Sequence, residues 1–164
     1  MKIFTLIDGL LNRAEGILLV AILSVMILLS FAQVVLRNVL GEGLLWADIL
    51  LRHLVLWVGF LGASLAVSHQ RHIGIDALTR ALSGRWQLAA RVLTNLFAAA
   101  MCYVLFEASR SYLAFEIEDS RNLFFNIPEW YSELIIPVGF ALLMIHFLVR
   151  VAMTSRDVIR GTAS

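Results

Sequence analysis

From Gly16 to Leu36 the chain carries 21 consecutive residues without a charge, closed on either side by Glu15 and Arg37. A helix of about 20 such residues crosses the roughly 30 Å hydrocarbon layer of a bilayer, so the run predicts a first transmembrane helix over 16–37. Ser30-Phe31-Ala32 has the small-x-small look of a signal-peptide cleavage site. The apolar run is nevertheless longer than a secretory h-region and more such runs follow, so it reads as an uncleaved anchor. Three shorter charge-free runs lie downstream: Leu54–Ser68, Val92–Phe106 and Leu134–Val149, the last broken only by His146. Each covers only about 22–24 Å at 1.5 Å per residue. Aromatic flanks supply the remainder, since Trp46 and Trp57 extend one outward, Trp86 precedes the next, and Trp130 and Tyr131 open the last. Such side chains favour the headgroup level. The further spans are therefore predicted at 46–69, 87–111 and 128–150.

Outside the spans two stretches read as interfacial. In 1–15, Ile3, Ile7, Leu10 and Ala14 share one helical stripe while Thr5, Asp8, Asn12 and Glu15 share another, the pattern of an amphipathic helix lying in the headgroup plane. Over 76–91, Leu78 and Leu82 stand one turn apart near Arg80 and Arg85, with Gly84 as the expected break. A tail over 151–164 closes the chain. The expectation is one all-α membrane domain of four transmembrane helices, with no segment large enough for a soluble catalytic domain.

Charge placement orients the spans. With the N-terminus inside, nine basic residues (Lys2, Arg13, Arg71, Arg80, Arg85, Arg91, Arg150, Arg156 and Arg160) fall on the cytoplasmic side. Arg37, Arg52, Arg110 and Arg121 fall outside, beside eight carboxylates. That asymmetry predicts both termini in the cytoplasm. Composition agrees with lipid as the solvent: 60% of residues are hydrophobic and 15% charged, against about 45–50% and 25% in soluble domains. The formal net charge of +1 leaves no basic field for nucleic acid. Cys102, the single cysteine, excludes an intramolecular disulfide or a cysteine-based zinc site.

Catalytic motifs are missing. No Walker A loop, G-x-G-x-x-G turn or G-x-S-x-G elbow occurs, so neither ATP-driven transport nor ordinary hydrolase chemistry is expected. A haem held by His53 and His146 would make the chain a respiratory membrane anchor, but the two lie at depths differing by roughly 15 Å, whereas axial ligands meet at one iron. Polar or partner-facing histidines are the better reading. His69, His72 and Asp76 are spaced i, i+3, i+7 and would share a face if the helix continued; Gly74 between Ile73 and Ile75 argues for a hydrogen-bonded turn instead of a metal site. No cofactor is expected.

Asp48 and Arg52, four apart, are expected to pair along the outer turns of the second span, as an interfacial ion pair or toward another subunit. No Asp, Glu, Lys or Arg lies in the cores of the last three spans, so a coupling residue for ion-driven transport is lacking. Gly59 with Ala63, and Gly62 with Ala66, permit close approach of another helix. The stretch Tyr112–Trp130 reads as an outer loop, acidic at Glu116, Glu118 and Asp119 and aromatic at Trp130. Its plain reading is a solvated loop with an aromatic belt, and its sharper one a docking surface for an extracytoplasmic protein.

The order and spacing of short motifs resemble the small integral-membrane subunit of tripartite ATP-independent periplasmic (TRAP) transporters, the DctQ-type family. Gln33-Val34-Val35-Leu36-Arg37 closes the first span as in that family, and Trp46-Ala47-Asp48 with Arg52 is similar to its Trp-x-acidic stretch. Phe60-Leu61-Gly62-Ala63-Ser64, His72-Ile73-Gly74-Ile75-Asp76, Ile127-Pro128-Glu129-Trp130 and Pro137-Val138-Gly139-Phe140 follow in register. Ile49 departs, standing where many members carry a second acidic residue. The resemblance implies a non-enzymatic scaffold in the bacterial inner membrane, packed against a large multi-span permease. That permease would import organic acids, such as C4-dicarboxylates or sugar acids, with sodium after delivery by a periplasmic binding protein. It further implies that Asp48, Arg52, Gly59, Gly62, Ala63 and Ala66 contact the large subunit, that His72, Asp76, Pro128 and Pro137 shape turns, and that membrane lipids cover the rest.

Overall fold

A computed structural model describes residues 2–69, 85–119, 121–123 and 126–160 of the chain. It consists of helices α1 (Lys2–Leu40), α2 (Leu45–His69), α3 (Arg85–Asp119), the short α4 (Trp130–Glu133) and α5 (Ile135–Arg160). Four of these are long and apolar enough to cross a membrane, with spans at Gly9–Val39, Leu45–Ser68, Ala89–Asp119 and Trp130–Ser155. The predicted spans fall within a few residues of these bounds at most of their ends.

Two elements differ from expectation. No break separates 1–15 from the first span, because α1 is one helix through Glu15 and Gly16. Its 39 residues reach about 58 Å. The stretch expected to be an outer loop from Tyr112 is helical through Asp119. Charges at Glu116, Glu118 and Asp119 resemble a loop in a hydropathy profile, yet a helix can continue through them once it leaves the hydrocarbon. Span four, by contrast, is interrupted at Leu134. Pro137 explains the hitch: its ring displaces the carbonyl of residue 133 and it has no N–H to offer it. The ladder resumes with Val138 N–H donating to the Leu134 carbonyl at 3.2 Å.

Packing follows a three–four rhythm on each long helix. Buried or half-buried positions on α1 include Asn12, Glu15, Leu19, Ile22, Met26, Leu29 and Gln33. On α3 they include Asn95, Ala99, Cys102, Phe106, Ser109, Leu113 and Glu116. This is the seam of left-handed helix pairs. Ile22, Leu61 and Ile135 meet at the centre of α1, α2 and α5, with Leu19, Met26, Leu54, Trp57 and Phe60 around them. The remaining long helix, α3, lies along α5 and has no comparable packing with α1 or α2. Much of the apolar surface therefore faces outward, including Ile17, Ile27, Phe31, Leu93, Phe97 and Leu148. In water such patches would drive aggregation; in lipid they cost nothing.

Candidate partner interface

The turn between α1 and α2 is held by one side chain. Leu40 is followed by Gly41 at φ 73°, the left-handed conformation glycine adopts cheaply at a helix C-terminus. The chain then returns past Gln33, whose Oε1 accepts from the Leu44 N–H at 2.9 Å while Nε2 donates to the Leu44 carbonyl at 2.7 Å. The same Nε2 donates to Asp48 Oδ1 at 3.1 Å, and Arg37 Nη2 stands 4.0 Å from Asp48 Oδ2. The expected Asp48–Arg52 pair is thus not formed. Asp48 turns to the end of α1, and Arg52 is exposed without a hydrogen bond or ion pair among the described residues. A carboxylate in the first turn of α2 also complements the helix dipole.

On α2 the residues between the glycines and the glycines themselves have separate tasks. Phe60 lies against Gly139, where an added Cβ would sit 2.3 Å from the ring, and meets Phe140 edge-on at 5.2 Å. Trp57, expected at the headgroups, instead packs into the central cluster and donates from Nε1 to the Ser132 carbonyl at 2.9 Å. Gly59 and Gly62 are different: an added Cβ at either would meet nothing within 4 Å. Gly59, Ala63 and Ala66 are exposed and Gly62 is half-buried. The small-residue face is therefore turned away from every described element of its own chain.

Deeper along the bundle lies a polar contact. Glu15 and His146 are 4% and 2% exposed, and Glu15 Oε1 stands 3.2 Å from His146 Nε2. Ser64 and Ser68 are buried on the inward side of α2, their hydroxyls without a hydrogen-bond partner among the described residues, as is Glu15 Oε2. Arg150 reaches from α5 to the Val67 carbonyl. At the other end, Glu116 is only 6% exposed and sits on the α3 seam, so it does not offer an outer surface. Glu118 and Asp119 are exposed, and Trp130 is half-buried and stacked on Tyr131 at 3.9 Å. The Arg121 guanidinium, 2.6 Å from Asp119, has its pKa raised further, first by that carboxylate and then by Glu116. Tyr112 donates to Glu133 Oε1 at 2.9 Å, fastening α3 to α4. Pro128 closes a short bridge with Asn122, and Pro137 is buried in the first turn of α5. His72 and Asp76 lie outside the described residues. Among the described residues no group of three or more His, Cys, Asp or Glu side chains is arranged for a metal ion.

Residues 26–157 match the profile of the family described as "Tripartite ATP-independent periplasmic transporters, DctQ component". The chain belongs to the DctQ family. Like its relatives it is an inner-membrane transporter component and not an enzyme. Among those relatives, a TRAP small permease protein of Haemophilus influenzae is 32% identical over 99 residues, covering 60% of this chain and 62% of that protein. The C4-dicarboxylate TRAP transporter small permease protein DctQ of Pseudomonas aeruginosa is 28% identical over 166 residues, covering 82% of this chain and 79% of its own length. The sialic acid TRAP transporter permease protein SiaT of Haemophilus influenzae is 34% identical over 98 residues, 57% of this chain but only 15% of SiaT.

Within this DctQ chain the motif residues Gln33, Arg37 and Asp48 prove to be one clasp, and Phe60 and Gly139 one contact. Sequence spacing alone joined neither pair. The buried Glu15 was hidden among charges expected to be solvated, and only the three–four spacing from Asn12 through Ile22 hints that it lies on the seam.

Proposed function

We propose that this DctQ-family protein is the scaffold subunit of a sodium-coupled importer of organic acids, joined to a large permease through the outer face of α2. The observation that carries this reading is the open space at Gly59 and Gly62. In lipid, helices associate through close packing and not through a hydrophobic drive, and small residues permit that approach. SiaT supports the partner: a segment similar to this chain is there covalently part of a much larger permease. Relatives named for C4-dicarboxylate and for sialic acid share the same small-permease pattern, so selection among acids is assigned to the large subunit and a periplasmic binding protein. Arg52 then lies on the partner face, whereas Asp48 acts indirectly by fixing the α1–α2 turn. Glu118, Asp119 and Trp130 remain the outer surface offered to the binding protein.

The test is co-purification of tagged Gly62→Leu with the large subunit, beside the lipid-facing control Leu18→Ala. Gly62→Leu inserts, because leucine is favourable in hydrocarbon, but recovers little partner; full recovery would move the interface elsewhere. In vesicles the pair should take up a carboxylate only with a sodium gradient, and this subunit alone should take up none. Both termini are assigned to the cytoplasm. In a background lacking Cys102, a cysteine at Glu118 should label from the periplasm and one at Ser164 should not; the reverse pattern would invert the topology.

A further inference from the structure

We propose that the groove between α1 and α2 at the Arg13 end of the bundle binds one anionic glycerophospholipid of the phosphatidylglycerol type. The groove is shallow and open, about 670 Å³, with Gly16, Ile17, Val20, Ala21 and Leu65 as its apolar lining and Asn12 and Arg13 as its polar residues. Gly16 leaves it open, since an added Cβ there would meet nothing within 4 Å. Its polarity changes along its length as a phospholipid's does. The residues from Gly16 onward belong to the charge-free run, while Arg13 stands one turn outside it, at headgroup level.

Charge complementarity selects the headgroup. Arg13 is exposed and makes no hydrogen bond or ion pair among the described residues. The nearest carboxyl in sequence, Glu15, is turned into the bundle against His146 and contributes nothing to the mouth. A guanidinium so placed fits a phosphodiester. Asn12, half-buried, is the other polar residue of the lining. A partner helix would have to bring an anion to this same depth, whereas a lipid headgroup carries one there. The positive-inside assignment places the site in the cytoplasmic leaflet. The inference concerns this chain alone and holds whether or not α2 is the large-subunit interface.

The experiment is native mass spectrometry of the purified full chain in detergent with added phosphatidylglycerol, phosphatidylethanolamine or phosphatidylcholine. One phosphatidylglycerol adduct should persist at activation energies that strip the other two. Arg13→Gln should weaken it about fivefold, the factor for one cation beside an anionic lipid, and so bring it level with phosphatidylcholine. Gly16→Leu should fill the groove and remove the adduct, while Gly9→Leu, which adds the same side chain to α1 outside the groove, should leave it. Equal retention of the three lipids, a preference for phosphatidylethanolamine, or an adduct indifferent to both Arg13→Gln and Gly16→Leu would overturn the proposal. So would its disappearance from the co-purified complex, which would give the groove to a partner helix.

Discussion

On the face of α2 turned toward α1 and α5, Leu54, Trp57, Leu61, Ser64 and Ser68 recur at spacings of three and four, all buried or half-buried. On the opposite face Arg52, Val55, Gly59, Ala63 and Ala66 are exposed. In water this would be an amphipathic helix with its sides reversed, since the serines are inside. In lipid the distinction is one of bulk and hydrogen bonding. The inward face has large side chains that fill space and a few polar groups shielded from hydrocarbon; the outward face, from Gly59 to Ala66, has almost no side chain at all. Lipid gives no reason for that thinness, because leucine is at least as favourable there as glycine. A second backbone passing close, as proposed for the large subunit, would give one.

The polar end of the inward face is where the comparison breaks most severely. His146→Leu removes the one partner of Glu15 Oε1 and leaves the carboxyl buried, its Oε2 already without a partner among the described residues. An orphaned buried carboxyl costs about 3 kcal/mol, so melting of the purified subunit in detergent should fall sharply. Restoring an apolar pair with Glu15→Leu in the same chain should recover most of the loss. If the double variant melts no higher than the single one, the contact does not bear on stability as a pair.

Smaller, but sharper in geometry, is the exchange of glycines. Gly139→Ala places a methyl carbon 2.3 Å from the Phe60 ring. Either the ring leaves its edge-on contact with Phe140 or α2 and α5 separate, at the cost of overpacking, about 1–3 kcal/mol. The check is the same melting measurement, with Phe60→Leu in the Gly139→Ala background as relief. An unshifted melting point would mean that Phe60 has room to turn aside.

How far these contacts were legible in the sequence depends on their range. The four spans could be read because hydrocarbon thickness acts locally, on one helix at a time. The small-residue face could be read because Gly59, Gly62, Ala63 and Ala66 are within two turns of each other, although only coordinates show which way they point. The partner of Asp48 could not: the i, i+4 rule offers Arg52, while the turn at Gly41 brings Gln33 and Arg37 from the end of another helix. Glu15 and His146, 131 residues apart, share no local signal. The last eight residues of α3, from Tyr112 to Asp119, read as a loop because hydropathy reports solvent and not backbone.

The mildest change sharpens the comparison most. Gly62→Ala adds one methyl to the outward face, where it meets nothing within 4 Å. The isolated subunit should therefore lose no stability and gain up to about 1 kcal/mol from the greater helix propensity of alanine. That places it opposite in sign to Gly139→Ala, although both are glycine-to-alanine changes in transmembrane helices of one bundle. In the complex the sign should reverse, because the same methyl stands where another helix is proposed to pass, and recovery of the large subunit should drop modestly, less than with Gly62→Leu. The two measurements separate an outward glycine kept for a partner from one that merely faces lipid. A lipid-facing glycine would give the same gain alone and no loss in the complex, and would leave α2 without a reason for its thin side.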